Sequence, residues 1–256
     1  MTTSSLKSLL KAFVKVRLAA RGLEVRSLHE RAQPEARWGI NVLDLALERW
    51  LAGRGTEGLV LLQIGANDGV EEDPVRRLLL RYPIRAYLCE PLHDAFGRLV
   101  ANYAALPHVH PLNCAVGTDT QPLTLYRLNA HSATRNVGLV ASFDRAHVEN
   151  FRTLWSLPES ALVTETVECW RLPDLLAHLG LQSADVVVVD AEGLDHIICG
   201  QALELSLPPA VLHFEYAGAP RKALDTLLAR LEASGYVFAR SGLDVTAVRK
   251  GLLDRT

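Results

Sequence analysis

From Gly58 onward, short runs of consecutive apolar residues alternate with stretches of helical periodicity, and this alternation leaves few folds open to the chain. The runs are Leu59–Ile64 (LVLLQI), Ile84–Cys89, Val109–Val116, Val186–Val189 and Val211–Tyr216. A strand that is apolar on both faces belongs in a parallel sheet covered on both faces, and the intervening helices supply the cover. Helices are expected over Pro74–Tyr82, His93–Ala105, Leu172–Leu179, Asp195–Leu205 and Arg221–Ser234. Tyr236–Ala239 and Val245–Arg249 read as a final pair around Ser241–Gly242, which implies an antiparallel strand added at one edge. With 256 residues, 49% of them apolar, the chain can bury one sizeable core. The pattern therefore predicts an α/β fold, a doubly wound and mostly parallel sheet.

Two segments depart from the rhythm. Residues 1–55 read as a helical extension preceding a main domain over 56–256. Between Met1 and Arg31 there are seven Lys or Arg and two Glu, with Lys7, Lys11 and Lys15 on one stripe of an amphipathic helix. That helix either packs on the main domain, contacts an anionic membrane surface or partner, or mediates self-association. A second helix is expected from Trp38 to Leu51. The other departure is an excursion over 117–184, with two strand-like runs, Leu123–Leu128 and Val163–Trp170, around a polar, mobile-looking stretch, Asn129–Asn150. Excursions of this length in compact α/β domains serve as lids or substrate elements. Phe151, Trp155 and Trp170 either stack on a sugar ring or join the core.

The balance of charge excludes some classes. A formal net charge of −2 gives no basic face for nucleic acid. No apolar run reaches the length of a membrane span, and Lys7, Lys11 and Lys15 interrupt any signal-like segment, so a soluble, cytoplasmic protein is expected. Cys89, Cys114, Cys169 and Cys199 are too widely spaced for a thiol-based zinc motif and are expected to be buried free thiols.

Four constellations carry the chemistry. Gln63-Ile64-Gly65-Ala66-Asn67-Asp68-Gly69 ends a buried strand in a glycine turn at the carboxyl edge of the sheet, where open parallel sheets bind ligands. Its G-x-x-x-G spacing lacks the phosphate cradle of G-x-G-x-x-G, and no G-K-[ST] follows, which suits a nucleoside ligand without phosphates such as S-adenosylmethionine. Cys89-Glu90-Pro91 places a carboxylate at the tip of the second strand, where it can accept from both ribose hydroxyls. Asp190-Ala191-Glu192-Gly193-Leu194-Asp195-His196 gathers three carboxylates and an imidazole after the most apolar strand, although Asp195 also reads as a helix N-cap. His213 and Glu215 share one face of the fifth strand and are either catalytic or a prop within the sheet. The candidate general bases are Asp190, Glu192, His213 and Glu215. His213 or Glu192 leads as base, and Asp190 orients cofactor and acceptor. Asp190, Glu192 and His213 also form a less favoured site for a divalent cation, Mg²⁺ or Mn²⁺.

The ordered motifs QIGANDGV, CEP, NCAVG, VDAEGLD and HFE resemble the FkbM family of methyltransferases, and the resemblance covers Gly58 to Tyr236. It implies the class I, Rossmann-like fold, a seven-stranded sheet with one antiparallel strand. It implies that Gly65, Ala66, Asn67 and Gly69 contact the methionine part of S-adenosylmethionine, that Glu90 binds its ribose, and that Asn113 and Ala115 lie beside the adenine. Asp68, Pro91 and Ser142 belong to the matching cofactor segments. It also points to O-methylation of a hydroxyl on a sugar, a glycan or a secondary metabolite. Gln63 departs from the acid that many class I members carry there, so recognition of the methionine amino group shifts to Asp190 or to backbone carbonyls. Cys169-Trp170 departs from an expected Thr-Leu and reshapes the substrate pocket. A nicotinamide-dependent oxidoreductase and a non-catalytic module of the same fold are the alternatives.

Overall fold

The structure, a computed structural model, describes residues 42–129, 140–191 and 193–253. The compact unit that carries the sheet begins at Val42. Its first helix, α1 (Val42–Arg54), buries Leu43, Leu47 and Trp50, so this part of the expected extension belongs to the same core as the sheet. The basic helix expected around Lys7, Lys11 and Lys15 lies outside the described residues.

Strand β1 (Val60–Ile64) is followed by α2 (Arg76–Arg81), β2 (Arg85–Cys89), α3 (His93–Tyr103) and β3 (Val109–Leu112). After the excursion come β9 (Val186–Val189), α6 (Asp195–Glu204), β10 (Val211–Glu215), α7 (Arg221–Ala233), β11 (Tyr236–Ser241), β12 (Asp244–Arg249) and α8 (Lys250–Leu253). The seven strands form one sheet in the order β3-β2-β1-β9-β10-β12-β11. All neighbours run parallel except at β12, which is antiparallel to both β10 and β11. The antiparallel strand is thus second from the edge. That corrects the expectation of an edge position, and the reason is burial. Val245, Thr246, Ala247 and Val248 are all buried, whereas β11 carries Arg240 and the exposed Ser241 and takes the edge.

Helices cover both faces, as an apolar parallel sheet requires. Leu61, Leu88 and Val188 pack under α1, α2 and α3, while Leu62, Val187 and Leu212 pack under α6, α7 and α5 (Leu172–His178). Each fully buried aliphatic side chain of this kind stabilises the fold by about 1.5–3 kcal/mol. All four cysteines are buried free thiols. No helix among the described residues is long and apolar enough to cross a membrane.

The excursion builds its own small layer. The run expected as one strand over Val109–Val116 divides, because the Asn113 amide donates to the carbonyls of Glu90 and Pro91 at 2.9 and 3.0 Å and turns the chain. The remainder, β4 (Ala115–Val116), pairs with β8 (Cys169–Trp170). Strands β5 (Leu123–Leu128), β6 (Ala141–Ser142) and β7 (Leu162–Val167) form an antiparallel sheet in the order β6-β5-β7. Residues 140–150, expected to look mobile, hold β6 and the start of α4 (Arg145–Leu154) instead; Asp144 caps α4 by accepting from the Ala146 amide at 2.9 Å. Phe151 and Trp155 join the core beneath α4, and Trp170 stacks on His178 at 4.6 Å.

Candidate cofactor and acceptor site

Parallel register lines up the strand tips. Gly65 follows Ile64, which pairs with Cys89 and Val189, so Glu90, Gly65 and Asp190 stand side by side at the carboxyl edge. Gly65 has φ +80°, and a Cβ there would lie 1.9 Å from the carbonyl oxygen of Asp190. Only glycine lets β1 and β9 close this tightly while the turn opens. The amides of Gly65 and Ala66 both donate to the Cys89 carbonyl at 3.0 Å, which holds the turn over β2. Asp68 folds back on its own loop, accepting from Val70 and Glu71 at 2.8 and 2.9 Å. Gly69 makes room for core rather than for open space: a Cβ there would meet Tyr103 and Leu99 at 2.3 and 2.6 Å.

Glu90 is buried at 5% exposure, directly after β2. Its Oε2 accepts from the Asn67 amide and its Oε1 from the Leu92 amide, each at 2.8 Å. Burial pushes its carboxyl up to about 7 against these two amides, so an additional pair of hydroxyl donors would favour the charged form. Pro91 carries the chain from this carboxylate toward α3. Asn113 holds the same corner through backbone carbonyls. Ala115 is buried beside Leu92, Leu125 and Cys169. Ser142 accepts from the Asp144 amide at 3.1 Å, and the neighbouring Phe143 packs into that Leu92 cluster, which brings β6 to the Glu90 corner. Charge fastens the same junction: Arg127 Nη1 lies 2.8 Å from Asp94 Oδ1, and His93 contacts Glu165.

Asp190 is exposed at the tip of β9, and surrounding protein together with the Glu72 carboxylate raises its carboxyl above the usual range. Glu192 lies outside the described residues. Asp195 is the first residue of α6, not its N-cap, which is Leu194. Its carboxylate accepts from the Gly193 and Ala191 amides at 3.2 and 3.4 Å and braces the loop after Asp190. Burial first, and the Asp190 charge second, push Asp195 up to about 7. Nδ1 of His196 is buried with no partner.

His213 lies two rows below the tips. Across the sheet the row reads Leu88, Gln63, Val188, His213, Thr246. His213 Nδ1 lies 2.9 Å from Thr246 Oγ1, and burial lowers the imidazole to about 4, so it is neutral at pH 7. Glu215 ends β10 on the same face, opposite Asp244 in the ladder. Of the four candidate bases, the ladder places Asp190 and Glu215 at the carboxyl edge and His213 deeper, while Glu192 lies outside the described residues.

Sequence reasoning passed over Asp73, which lies against Gln63. Gln63 is buried at 2% exposure, its side chain lies close enough to Asp73 to favour the charged carboxylate, and its Oε1 has no partner. A buried acceptor left unpaired costs about 1–3 kcal/mol, which a donor brought to Oε1 would offset. Asp73 in the sequence signals only a turn before Pro74, and nothing local to it announces the contact with β1. A cleft of about 650 Å³ between α6 and α7, lined by His196, Gly200 and Lys222, shares none of Gly65, Glu90 or Asp190. Among the described residues no three of His, Cys, Asp and Glu gather closely enough to hold a metal ion.

A mostly parallel seven-stranded sheet, a glycine turn after β1 and a carboxylate after β2 define a class I, Rossmann-like methyltransferase fold. A family model described as the methyltransferase FkbM domain matches residues 63–238, more than half of the chain. The chain belongs to the FkbM methyltransferase family. Among proteins with curated descriptions, none matches it by sequence. Solved structures that it resembles include the methyltransferase FkbM from Methylobacillus flagellatus, at 11% identity over 78% of this chain and 47% of that one, with a TM-score of 0.44. Precorrin-6y C5,15-methyltransferase from Geobacter metallireducens aligns at 13% identity over 82% of this chain and 88% of that one, with a TM-score of 0.39. Fibrillarin from Aeropyrum pernix, solved with natively bound S-adenosyl-L-methionine, aligns at 13% identity over 81% and 74%, with a TM-score of 0.39.

Proposed function

We propose that this methyltransferase uses S-adenosylmethionine to methylate a hydroxyl oxygen of a sugar, a glycan or a secondary metabolite. The observation that carries the cofactor reading is the Glu90 corner: a buried carboxylate, raised by desolvation, next to a glycine turn that closes tightly on the tip of β9. These features fit a nucleoside. Glu90 would hold the ribose hydroxyls, the Gly65–Asn67 turn would lie against the methionine portion, and the unpaired Oε1 of Gln63 would accept from its ammonium. When bound, the cofactor supplies a methyl group on a positively charged sulfur.

Asp190 is the described candidate best placed to orient the acceptor and take its proton, since it borders Gly65 on the adjacent strand. A positioned base of this kind contributes roughly 10²–10⁴-fold in rate. His213, neutral and bonded to Thr246, instead keeps the sheet face beneath uncharged. The Glu72 and Asp190 carboxylates disfavour an anionic acceptor and suit a neutral, hydroxylated one.

The test is an acceptor screen with purified protein, S-adenosylmethionine and panels of glycosides, glycans and hydroxylated metabolites, read by S-adenosylhomocysteine release and by mass spectrometry of the product. A methyl ether is expected. Methyl transfer only to nitrogen or carbon acceptors would overturn the oxygen assignment while leaving the cofactor reading intact.

A further inference from the structure

Gln63 is the only polar residue of β1, and its surroundings fix which way its amide faces. The Gln63 side chain favours the charged form of Asp73, and since a carboxylate only accepts, this requires the amide N–H to face Asp73 and Oε1, which has no partner, to face away. Asp73 is itself held from three sides. Its Oδ1 accepts from the Val75 and Arg76 amides at 2.7 and 2.8 Å, and Tyr103 OH lies 3.3 Å from its Oδ2. Arg76 links this node to the glycine turn by donating to the Gly69 carbonyl at 3.0 Å. The result is a buried acceptor on β1, two residues before Gly65, that is oriented by a carboxylate delivered from the loop preceding α2.

We propose that Asp73 is a positioning residue for the amino-acid end of the cofactor: it fixes Gln63 so that Oε1 accepts from the cofactor's ammonium group, and it supplies the negative charge that β1 itself lacks. This inference rests on the S-adenosylmethionine reading above. A carboxylate one amide removed from the ligand stabilises the cation without placing a bare charge in the strand. Asp73 also holds the turn that leads into α2 through the Val75 and Arg76 amides, and that structural role must be separated from positioning.

The separation uses two ligands. S-adenosylmethionine carries the amino-acid end, whereas 5′-methylthioadenosine has the same adenosine and no ammonium group. Asp73→Asn keeps an oxygen for the Val75 and Arg76 amides, so the turn into α2 survives, but it sets an amide against the Gln63 amide. Calorimetric titration of the full-length protein should show Asp73→Asn binding S-adenosylmethionine about tenfold more weakly, with 5′-methylthioadenosine unchanged. Gln63→Met, which deletes the acceptor within a similar volume, should show the same selective loss and serves if Asp73→Asn does not fold. The swap Gln63→Glu with Asp73→Asn returns a carboxylate to the node and should recover most of the S-adenosylmethionine affinity. Equal weakening of both ligands would reduce Asp73 to a structural turn residue and overturn the proposal, as would unchanged affinity for S-adenosylmethionine. A wild-type protein that binds neither ligand would instead defeat the cofactor reading itself.

Discussion

The backbone amide of Asn67 donates to Oε2 of Glu90 at 2.8 Å, joining the turn after β1 to the carboxylate after β2 in a single corner. Asn67 reaches this position with φ +47°, a left-handed conformation that asparagine tolerates better than most residues. The corner is therefore set before any ligand arrives. Its carboxylate already has one amide on each oxygen and keeps lone pairs for further donors.

Replacing Glu90 by Gln should remove charge-assisted acceptance at this corner. The expected loss is about 1.5–3 kcal/mol, roughly ten- to a hundredfold in affinity for S-adenosylmethionine. Because burial raises the Glu90 carboxyl to about 7, wild-type affinity should fall as pH drops through that value, while Glu90→Gln should be flat over the same range. Calorimetry between pH 6 and 8 (roughly one unit either side of the shifted value) reads both effects.

Stability should respond to pH with opposite signs at two places. Glu90 and Asp195 have folded values raised to about 7, so between their ordinary values and 7 the native state binds more protons than the unfolded chain. Their contribution thus declines as pH rises through that window. His213 is lowered to about 4, so between 4 and 6.5 the native state binds fewer protons, and its contribution is lost as pH falls. Asp195→Asn should gain stability relative to wild type as pH rises from 5 to 8, and His213→Leu should gain it as pH falls from 6.5 to 4, in denaturant unfolding series. Parallel wild-type and variant curves would contradict the assigned shifts.

Gly65→Ala forces a Cβ against the Asp190 carbonyl, and β1 and β9 must part. The strain of a left-handed alanine and the overpacking together should cost about 2–5 kcal/mol in chemical denaturation. Stability equal to wild type would mean that the strand tips are not closed as described.

Asp190→Asn should lower kcat by roughly 10²–10⁴ with S-adenosylmethionine affinity changed only a few-fold. His213→Ala should leave kcat within about an order of magnitude and act mainly on stability, because its buried imidazole lies below the strand tips and bonds Thr246. A large kcat loss at His213 with none at Asp190 would reverse their roles.

Much of this was legible because the apolar strands are buried on both faces and announce themselves as continuous runs, as in Leu59–Ile64 and Val186–Val189. Register then follows, and with it the alignment of Glu90, Gly65 and Asp190. The place of β12 was not legible, since a hairpin sequence says that two strands are neighbours but not which lies inside; burial of Val245 to Val248 decides it. The depth of His213 was missed for a related reason, as a strand's period gives the face of a side chain and not its distance from the edge. Asp73 was missed because its partner Gln63 is ten residues earlier in the chain, and a turn residue before proline is common.

The central claim is most directly tested by titrating the purified protein with S-adenosylhomocysteine and, in parallel, with NAD. Saturable binding of S-adenosylhomocysteine at one site per chain, abolished or strongly weakened in Glu90→Gln and without heat from NAD, is the predicted result. Binding of NAD in its place, or S-adenosylhomocysteine binding that is indifferent to Glu90, would contradict the account.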